Sequence, residues 1–189
     1  MAATRPVASG LTLEEFLKLP EEKPYLEFID GVVQQKVAPQ AEHSVLQGQL
    51  LTLLNNQIRP RHLGRAFAEL RFTTGEEAYV PDVSAFRQDR ITRTPSGRIS
   101  SRFPGPPDIA IEVRSPGQSI RDLTRRCESF VNLGVRVVLL VDDRDETIRV
   151  FRPGHDMHIA RGDEPIHLNE VGPDVTLVPS EIFAELMVD

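Results

Sequence analysis

Two acidic side chains stand inside short apolar stretches of this sequence. Glu112 lies in the middle of residues 107–116, PDIAIEVRSP, and Asp82 lies within residues 79–86, YVPDVSAF. Side chains alternate across a strand, so Glu112 shares one face with Arg114 while apolar residues take the other face. A buried carboxylate is costly unless a metal, a cation or a chemical role accounts for it. Two strands that each deliver one acid predict a centre for a hard divalent metal, which prefers oxygen ligands.

Several of the neighbouring polar residues also fit purely structural roles. Asp82 follows a proline at the start of a strand, where it either binds a metal or caps local amides. Glu27 lies mid-strand between apolar residues, which predicts either a partly buried acid of the site or a salt bridge. His43 is interpreted as a surface histidine in the first turn of a helix. Asp108 is interpreted as the start of the Glu112 strand.

One arginine lies on or beside the apolar stripe of the helix that follows the Glu112 strand. This residue, Arg126, could reach the acids of the adjacent strand. Alternatively, it forms an ion pair with Asp122 or Glu128, or buries its stem with the charged head in solvent. Both interpretations stay open from the sequence.

Turn residues and hydrophobic periodicity predict the elements that position these side chains. Thr12 opens a capping box, and Asp30-Gly31 predicts a tight hairpin. The predicted helices lie near 12–20, 42–58, 118–133 and after Ser180, and the predicted strands lie at 25–29, 32–37, 65–74, 77–86, 107–114, 135–141 and 147–151. The strand, helix and strand from 107 to 141 predict a parallel crossover.

This order of elements predicts an α+β (α/β-like) fold, with a mixed β-sheet flanked by helices. Residues 1–10 are interpreted as a flexible tail, and residues 11–189 as a single domain. The single cysteine, Cys127, excludes an intrachain disulfide and a cysteine zinc cluster. A cytoplasmic protein without a membrane partner is expected, because the sequence has no secretory leader and no run of about 18 apolar residues.

The charge is unevenly distributed along the chain. The net charge of −6 argues mildly against a nucleic-acid binder. Between Arg87 and Arg102, however, five arginines face a single aspartate. This asymmetry hints at a side of the molecule that faces a polyanion.

Short motifs that include these acids occur in a recognisable order along the chain. They are residues 27–31 (EFIDG), 80–83 (VPDV), 107–116 (PDIAIEVRSP), 121–123 (RDL) and 134–135 (GV), with His43 after the first. This pattern resembles the Uma-type putative restriction endonuclease family, which belongs to the PD-(D/E)xK nuclease superfamily. The resemblance spans roughly residues 12–186.

The resemblance implies a restriction-endonuclease-like fold and a phosphodiesterase site that depends on Mg²⁺, with Mn²⁺ as an alternative. By motif position, Asp82 and Glu112 would be the metal-binding and catalytic acids, and Glu27 would be an accessory acid. DNA is the implied partner. A homodimer follows by analogy, because cutting both strands needs two sites.

The departure from the superfamily motif concerns a lysine. The motif places it two residues after the acid, where this chain has Arg114, and the Uma-type family often moves it to the next helix, where this chain has Arg126. No lysine follows Lys36. Arginine can bind phosphate and stabilise charge, but it cannot readily act as a base. We therefore expect Arg126, or as second choice Arg114, to stabilise the transition state.

Two main hypotheses follow from the sequence, and a metal-dependent enzyme that acts on another phosphodiester substrate is a third. In the first, the protein is a metal-dependent endonuclease that hydrolyses DNA, with acids on two adjacent strands holding the metal. In the second, it is a catalytically inactive relative that binds nucleic acid or a protein. The missing lysine and the acidic net charge support the second hypothesis.

Overall fold

The computed structural model describes residues 4–100 and 103–187, whose strands form two six-stranded sheets and one two-stranded sheet. The first sheet has the order β1 (Thr4–Ser9), β3 (Val32–Lys36), β2 (Leu26–Ile29), β6 (Glu77–Tyr79), β5 (Phe72–Thr74) and β8 (Phe103–Pro104). The second sheet has the order β12 (His158–Arg161), β11 (Thr147–Phe151), β10 (Val137–Asp142), β9 (Ile109–Val113), β7 (Val83–Arg87) and β4 (Gly64–Ala68). The pair of β13 (Ile166–His167) and β14 (Thr176–Leu177) completes the set.

The described part of the chain contains four α-helices, which are α1 (Leu13–Phe16), α2 (Ala41–Ile58), α3 (Ile120–Asn132) and α4 (Pro179–Phe183). The predicted capping box of α1 is confirmed, because Thr12 and Glu15 exchange hydrogen bonds. The last helix begins at Pro179 rather than being capped by Ser180, since proline suits the first helical position. No helix in the described residues is long and apolar enough to cross a membrane.

The second sheet is covered on both faces by helices. Side chains four residues apart on α2 are fully buried against one face of the sheet, and they are Leu46, Leu50, Leu54 and Ile58. Leu123, Cys127 and Phe130 of α3 pack against the other face. Odd-numbered residues of β9 therefore face α2, and even-numbered residues, including Glu112, face α3.

The predicted crossover is confirmed. Strands β9 and β10 pair in parallel, with Glu112 opposite Leu140, and α3 connects them. Helix α3 also contacts the first sheet, because the ring of Phe130 packs edge-on against Phe72 and Tyr79. This helix therefore joins the two sheets at the place where Glu112 is buried.

Two strands predicted as continuous are each divided between the sheets. The prediction for 65–74 becomes β4 and β5, and the prediction for 77–86 becomes β6 and β7. Pro81 accounts for the second break, because proline cannot donate a ladder hydrogen bond within a sheet. The α+β class with mixed sheets is confirmed, but two six-stranded sheets replace the expected single sheet.

The prediction of a tail over residues 1–10 does not include a strand, whereas the described part of this segment contains one. Residues Thr4–Ser9 form β1, which pairs antiparallel with β3. The side chains of residues 6–9 are exposed, so burial does not explain why this segment forms a strand. Backbone hydrogen bonds to β3, which would otherwise be an exposed edge strand, explain it. Residues 1–3 lie outside the described part. The single domain over residues 11–189 stays a prediction.

Candidate active site

Asp82 lies in the short segment where the chain passes from the first sheet to the second, between β6 and β7. Its Oδ2 accepts a hydrogen bond of 2.8 Å from the backbone N–H of Val113, at the end of β9. The side chain is only 3% exposed. Asp82 therefore does not cap local amides. It joins the start of β7 to the end of the Glu112 strand, which brings the two predicted metal-binding acids to one place.

Glu112 faces α3 and is paired with Arg126 of that helix. Nε of Arg126 donates to Oε1 of Glu112 at 3.0 Å. The alternative pairing of Arg126 with Asp122 or Glu128 is wrong, because the ion pairs of Arg126 are with Glu27 and Glu112. The guanidinium also lies 4.8 Å from the ring centre of Phe130. Arg126 is thus part of the candidate site.

Glu27 of β2 is fully buried and connects the first sheet to the same arginine. Nη1 and Nη2 of Arg126 donate to the two carboxylate oxygens of Glu27 at 3.0 and 2.6 Å. Oε1 of Glu27 also accepts from the N–H of Val80 at 2.7 Å. Both interpretations of Glu27 are therefore compatible with its position: it forms a salt bridge, and it lies next to the candidate site. One planar guanidinium binds two acids from two sheets.

Lys36, at the end of β3, is a site residue that sequence reasoning missed. Its Nζ donates to Oδ1 of Asp82 at 2.6 Å and to the carbonyl oxygen of Val80 at 2.8 Å. The signal was present in the hairpin, because Asp30-Gly31 sets Glu27 opposite Gln34. Lys36, two residues further, is on the same face of the sheet as Glu27.

His43 is not a surface residue, so that prediction is wrong. Its side chain is 7% exposed, and its Nε2 donates to Oδ2 of Asp82 at 3.0 Å. The first turn of α2 points this ring into the site because the apolar face of that helix is buried. Nδ1 of His43 is buried and has no hydrogen-bond partner among the described residues. Gln47, one turn further on α2, donates to the backbone oxygen of Asp82 at 2.8 Å.

Arg114 is not brought to the acids. Its Nη1 donates to the buried Asp142 at 2.7 Å, and its Nε donates to the carbonyl oxygen of Gln118 at 3.3 Å. Asp108 lies at the opposite end of β9 from Glu112. There it pairs with Arg90 and accepts from a backbone N–H, which agrees with a structural role.

The arginine-rich segment after β7 lies at that opposite end of the second sheet. Arg87 is next to Asp108, and Glu112 is four positions further along the strand than Asp108, or about 13 Å away. Two of the arginines are neutralised, since Arg87 pairs with Asp89 and Arg90 with Asp108. Arg102 lies outside the described residues. This cluster therefore does not line the candidate site.

Opposing electrostatic effects act on the Asp82 side of the site. Burial favours a higher pKa for Asp82, but Lys36 and His43 outweigh it and hold the pKa well below its ordinary value. Burial favours a lower pKa for Lys36, yet the nearby carboxylates raise the pKa above its ordinary value. The hydrogen bond to Asp82 likewise raises the pKa of His43 against the effect of burial. Asp82 is a carboxylate and Lys36 an ammonium at neutral pH.

Glu112 has a different balance. Burial raises the pKa of Glu112 above its ordinary value, although Arg126 acts in the opposite direction. Glu112 and Glu27 hold the pKa of Arg126 above its already high ordinary value. The site thus places the buried carboxyl groups of Asp82, Glu112 and Glu27 next to the basic side chains of Lys36, His43 and Arg126.

The two acids line one small cavity that has a volume of about 20 Å³, enough for about one water molecule. Lys36, His43 and Arg126 also line it, and so does Glu69, which the sequence did not single out. One oxygen of Glu112 binds Arg126, and the other has no hydrogen bond from the described residues. No group of three or more metal-binding side chains is found in the described part of the chain.

This donor set fits Mg²⁺. That ion uses one or two carboxylates and completes its octahedral shell with water and phosphate oxygens, so it needs no protein cage. Asp82 and Glu112 supply two hard oxygen donors beside one cavity. Zinc, by contrast, favours closed sets of histidine and cysteine.

Comparison with known proteins adds the family. The model of the Uma2 family, described as putative restriction endonuclease, matches residues 13–180. The chain belongs to the Uma2 family. A putative nuclease belonging to DUF820 from Anabaena variabilis has a similar crystal structure, with a TM-score of 0.88 and 34% sequence identity. The match covers 94% of this chain and 100% of that chain. No curated protein matches the sequence.

Membership of the Uma2 family confirms the resemblance found in the sequence. The similarity to the Anabaena variabilis structure extends over nearly the whole chain, so the fold is that of a nuclease. The acids that carried the resemblance, Asp82 and Glu112, lie together in this fold.

Proposed function

We propose that this protein is a metal-dependent endonuclease that hydrolyses phosphodiester bonds in DNA. The observation that carries the proposal is the convergence of Asp82 and Glu112, from neighbouring strands, on one cavity. Uma2 membership and the nuclease-like structure support the same reaction class. Mg²⁺ is the proposed metal, and Mn²⁺ would occupy the same oxygen donors.

In this proposal Asp82 and Glu112 hold the metal. When bound, the metal would lower the pKa of a water molecule and offset negative charge on the phosphate. Glu27 does not reach the cavity directly but orients Arg126 through two hydrogen bonds. Arg126, which lines the cavity, supplies positive charge for the phosphate as it gains negative charge. Arg114 is set aside, because Asp142 holds it away from the acids.

A second function is favoured by one observation. Lys36 and Arg126 already pair with the carboxylates that would bind the metal. A site whose carboxylates are already paired with cationic side chains also suits a catalytically inactive relative that binds nucleic acid or a protein. The first function requires a bound metal ion, and the second does not.

Nicking of supercoiled plasmid tests the proposal. The wild-type protein is expected to nick DNA in Mg²⁺ or Mn²⁺ and to stop when the metal is chelated. Asp82→Asn should lower the rate about 100-fold or more, because groups that only orient a metal ligand are already worth about 10–100-fold. Asp89→Asn, an exposed change of the same chemistry, should leave the rate unchanged. Binding of DNA without metal-dependent nicking would favour the second function.

A further inference from the structure

The ammonium group of Lys36 donates a hydrogen bond to the carboxylate oxygen of Asp82 that a metal would need. Nζ lies 2.6 Å from Oδ1 of Asp82, while Oδ2 is engaged by His43 and the N–H of Val113. Both oxygens of this proposed metal ligand therefore carry protein hydrogen bonds. Only Lys36 brings a permanent positive charge to them.

A metal bound to Asp82 would share one small cavity with this ammonium group. The cavity volume of about 20 Å³ accepts about one water molecule. A divalent metal held by Oδ1 of Asp82 would compete for the position that the ammonium group of Lys36 occupies, 2.6 Å from that oxygen. Two like charges this close in a buried site repel strongly. The ammonium and the metal therefore exclude each other.

The side chain of Lys36 is also positioned so that it can move away from Asp82. It is the last residue of β3, its side chain is 12% exposed, and it lines the cavity rather than the core. Its flexible four-carbon stem and strongly hydrated head allow it to turn towards solvent. Arg126, by comparison, is fixed by hydrogen bonds to two acids.

We propose that Lys36 is an internal cation that holds Asp82 in the metal-free protein, and that a divalent metal binds Asp82 only by displacing the Lys36 ammonium. This inference rests on the proposed function, which places the metal on Asp82 and Glu112. It assigns a role to the lysine on β3 that lies outside the superfamily motif.

Calorimetric titration of MnCl₂ into the purified protein, without DNA, tests this displacement. Lys36→Met removes the competing cation and keeps a linear side chain, so the Mn²⁺ affinity should rise about tenfold, within the usual range of coupling between two ligands. Lys23→Met removes the same charge from a side chain that is 75% exposed and should leave the affinity unchanged. Equal or weaker Mn²⁺ binding by Lys36→Met overturns the displacement alone. Absence of Mn²⁺ binding in all three proteins overturns both the displacement and the proposed metal site.

Amine labelling of the wild-type protein provides a second test, which does not depend on the correct folding of a variant. The chain has only three lysines, Lys18, Lys23 and Lys36, which makes reductive methylation followed by mass spectrometry easy to interpret. Saturation with Mn²⁺ should raise the labelling of Lys36 several-fold, while the exposed Lys18 and Lys23 keep their labelling rates. Labelling of Lys36 that does not change with Mn²⁺ overturns the displacement.

Discussion

Arg126 connects more of the site than any single acid does. Its guanidinium donates to Glu27 through both terminal nitrogens and to Glu112 through Nε, and its plane lies near Phe130. A lysine has one nitrogen and no planar fork, so it could not make the same three hydrogen bonds. The arginine in the usual lysine position is therefore specific to this arrangement of acids.

Arg126→Lys is expected to destabilise the protein. The loss of charge-assisted hydrogen bonds in a buried site should lower the free energy of unfolding by about 2–4 kcal/mol. Chemical denaturation measures this change. Arg125→Lys, on the exposed side of the same helix, is the matched control and should change it by less than about 0.5 kcal/mol. Equal stability of the two variants would show that the Arg126 network contributes little.

Asp82, Glu112 and Glu27 could be found from sequence because each stands in an apolar segment where a charge requires an explanation, and Arg126 because it falls beside the apolar stripe of a predicted helix. Lys36 and His43 could not be found in this way. Lys36 lies at the end of its strand after two glutamines, and His43 lies between Glu42 and Ser44, so neither is distinguished from a surface residue by its neighbours. They enter the site only when the fold brings β3 and α2 to the segment between β6 and β7, which is a tertiary event.

The secondary elements show the same division between local and tertiary information. Helix α2 and the β9–α3–β10 crossover were predicted because their periodicity and length are local properties. The division of 77–86 into β6 and β7 was missed, because an apolar run predicts a strand whichever sheet contains it. Pro81 was the local sign of the break, and Asp82 lies in the site because of it.

Strand β4 depends on a close approach that only glycine permits. A Cβ on Gly64 would lie 2.1 Å from the backbone oxygen of Phe86 in the paired strand β7. Gly64→Ala should therefore lower the free energy of unfolding by about 1–3 kcal/mol. Gly48→Ala in α2 is the control, since a Cβ there meets nothing within 4 Å and should stabilise the helix by about 0.5–1 kcal/mol. A Gly64→Ala protein as stable as the wild type would contradict the described pairing of β4 and β7.

At the scale of the whole molecule, the candidate site lies where five separate parts of the chain meet, one of which is α2 with His43. The hairpin of β2 and β3 supplies Glu27 and Lys36, the segment between the sheets supplies Asp82, β9 supplies Glu112 and α3 supplies Arg126. Each acid is paired with a cation from another element. The network therefore couples the relative position of the two sheets to the charge of the site.

The charge of a sequence segment was a poorer guide to which residues surround the site than the positions of those residues in the fold. The arginine-rich segment after β7 suggested a polyanion-facing side, yet its described part lies at the end of β9 remote from Glu112. The acid Asp108, far from the site, is a partner of Arg90. A linear count cannot show such pairing, because it depends on which strand ends adjoin.

The rate of plasmid nicking in Mg²⁺ by Glu112→Gln, compared with the wild type and with Glu128→Gln, tests the central claim most directly. Glutamine keeps the size of the side chain and removes the charge that would hold the metal, whereas Glu128 is exposed on α3. The account predicts nicking by the wild type and by Glu128→Gln, and a loss of about 100-fold or more in folded Glu112→Gln. Nicking by Glu112→Gln at the wild-type rate would contradict it.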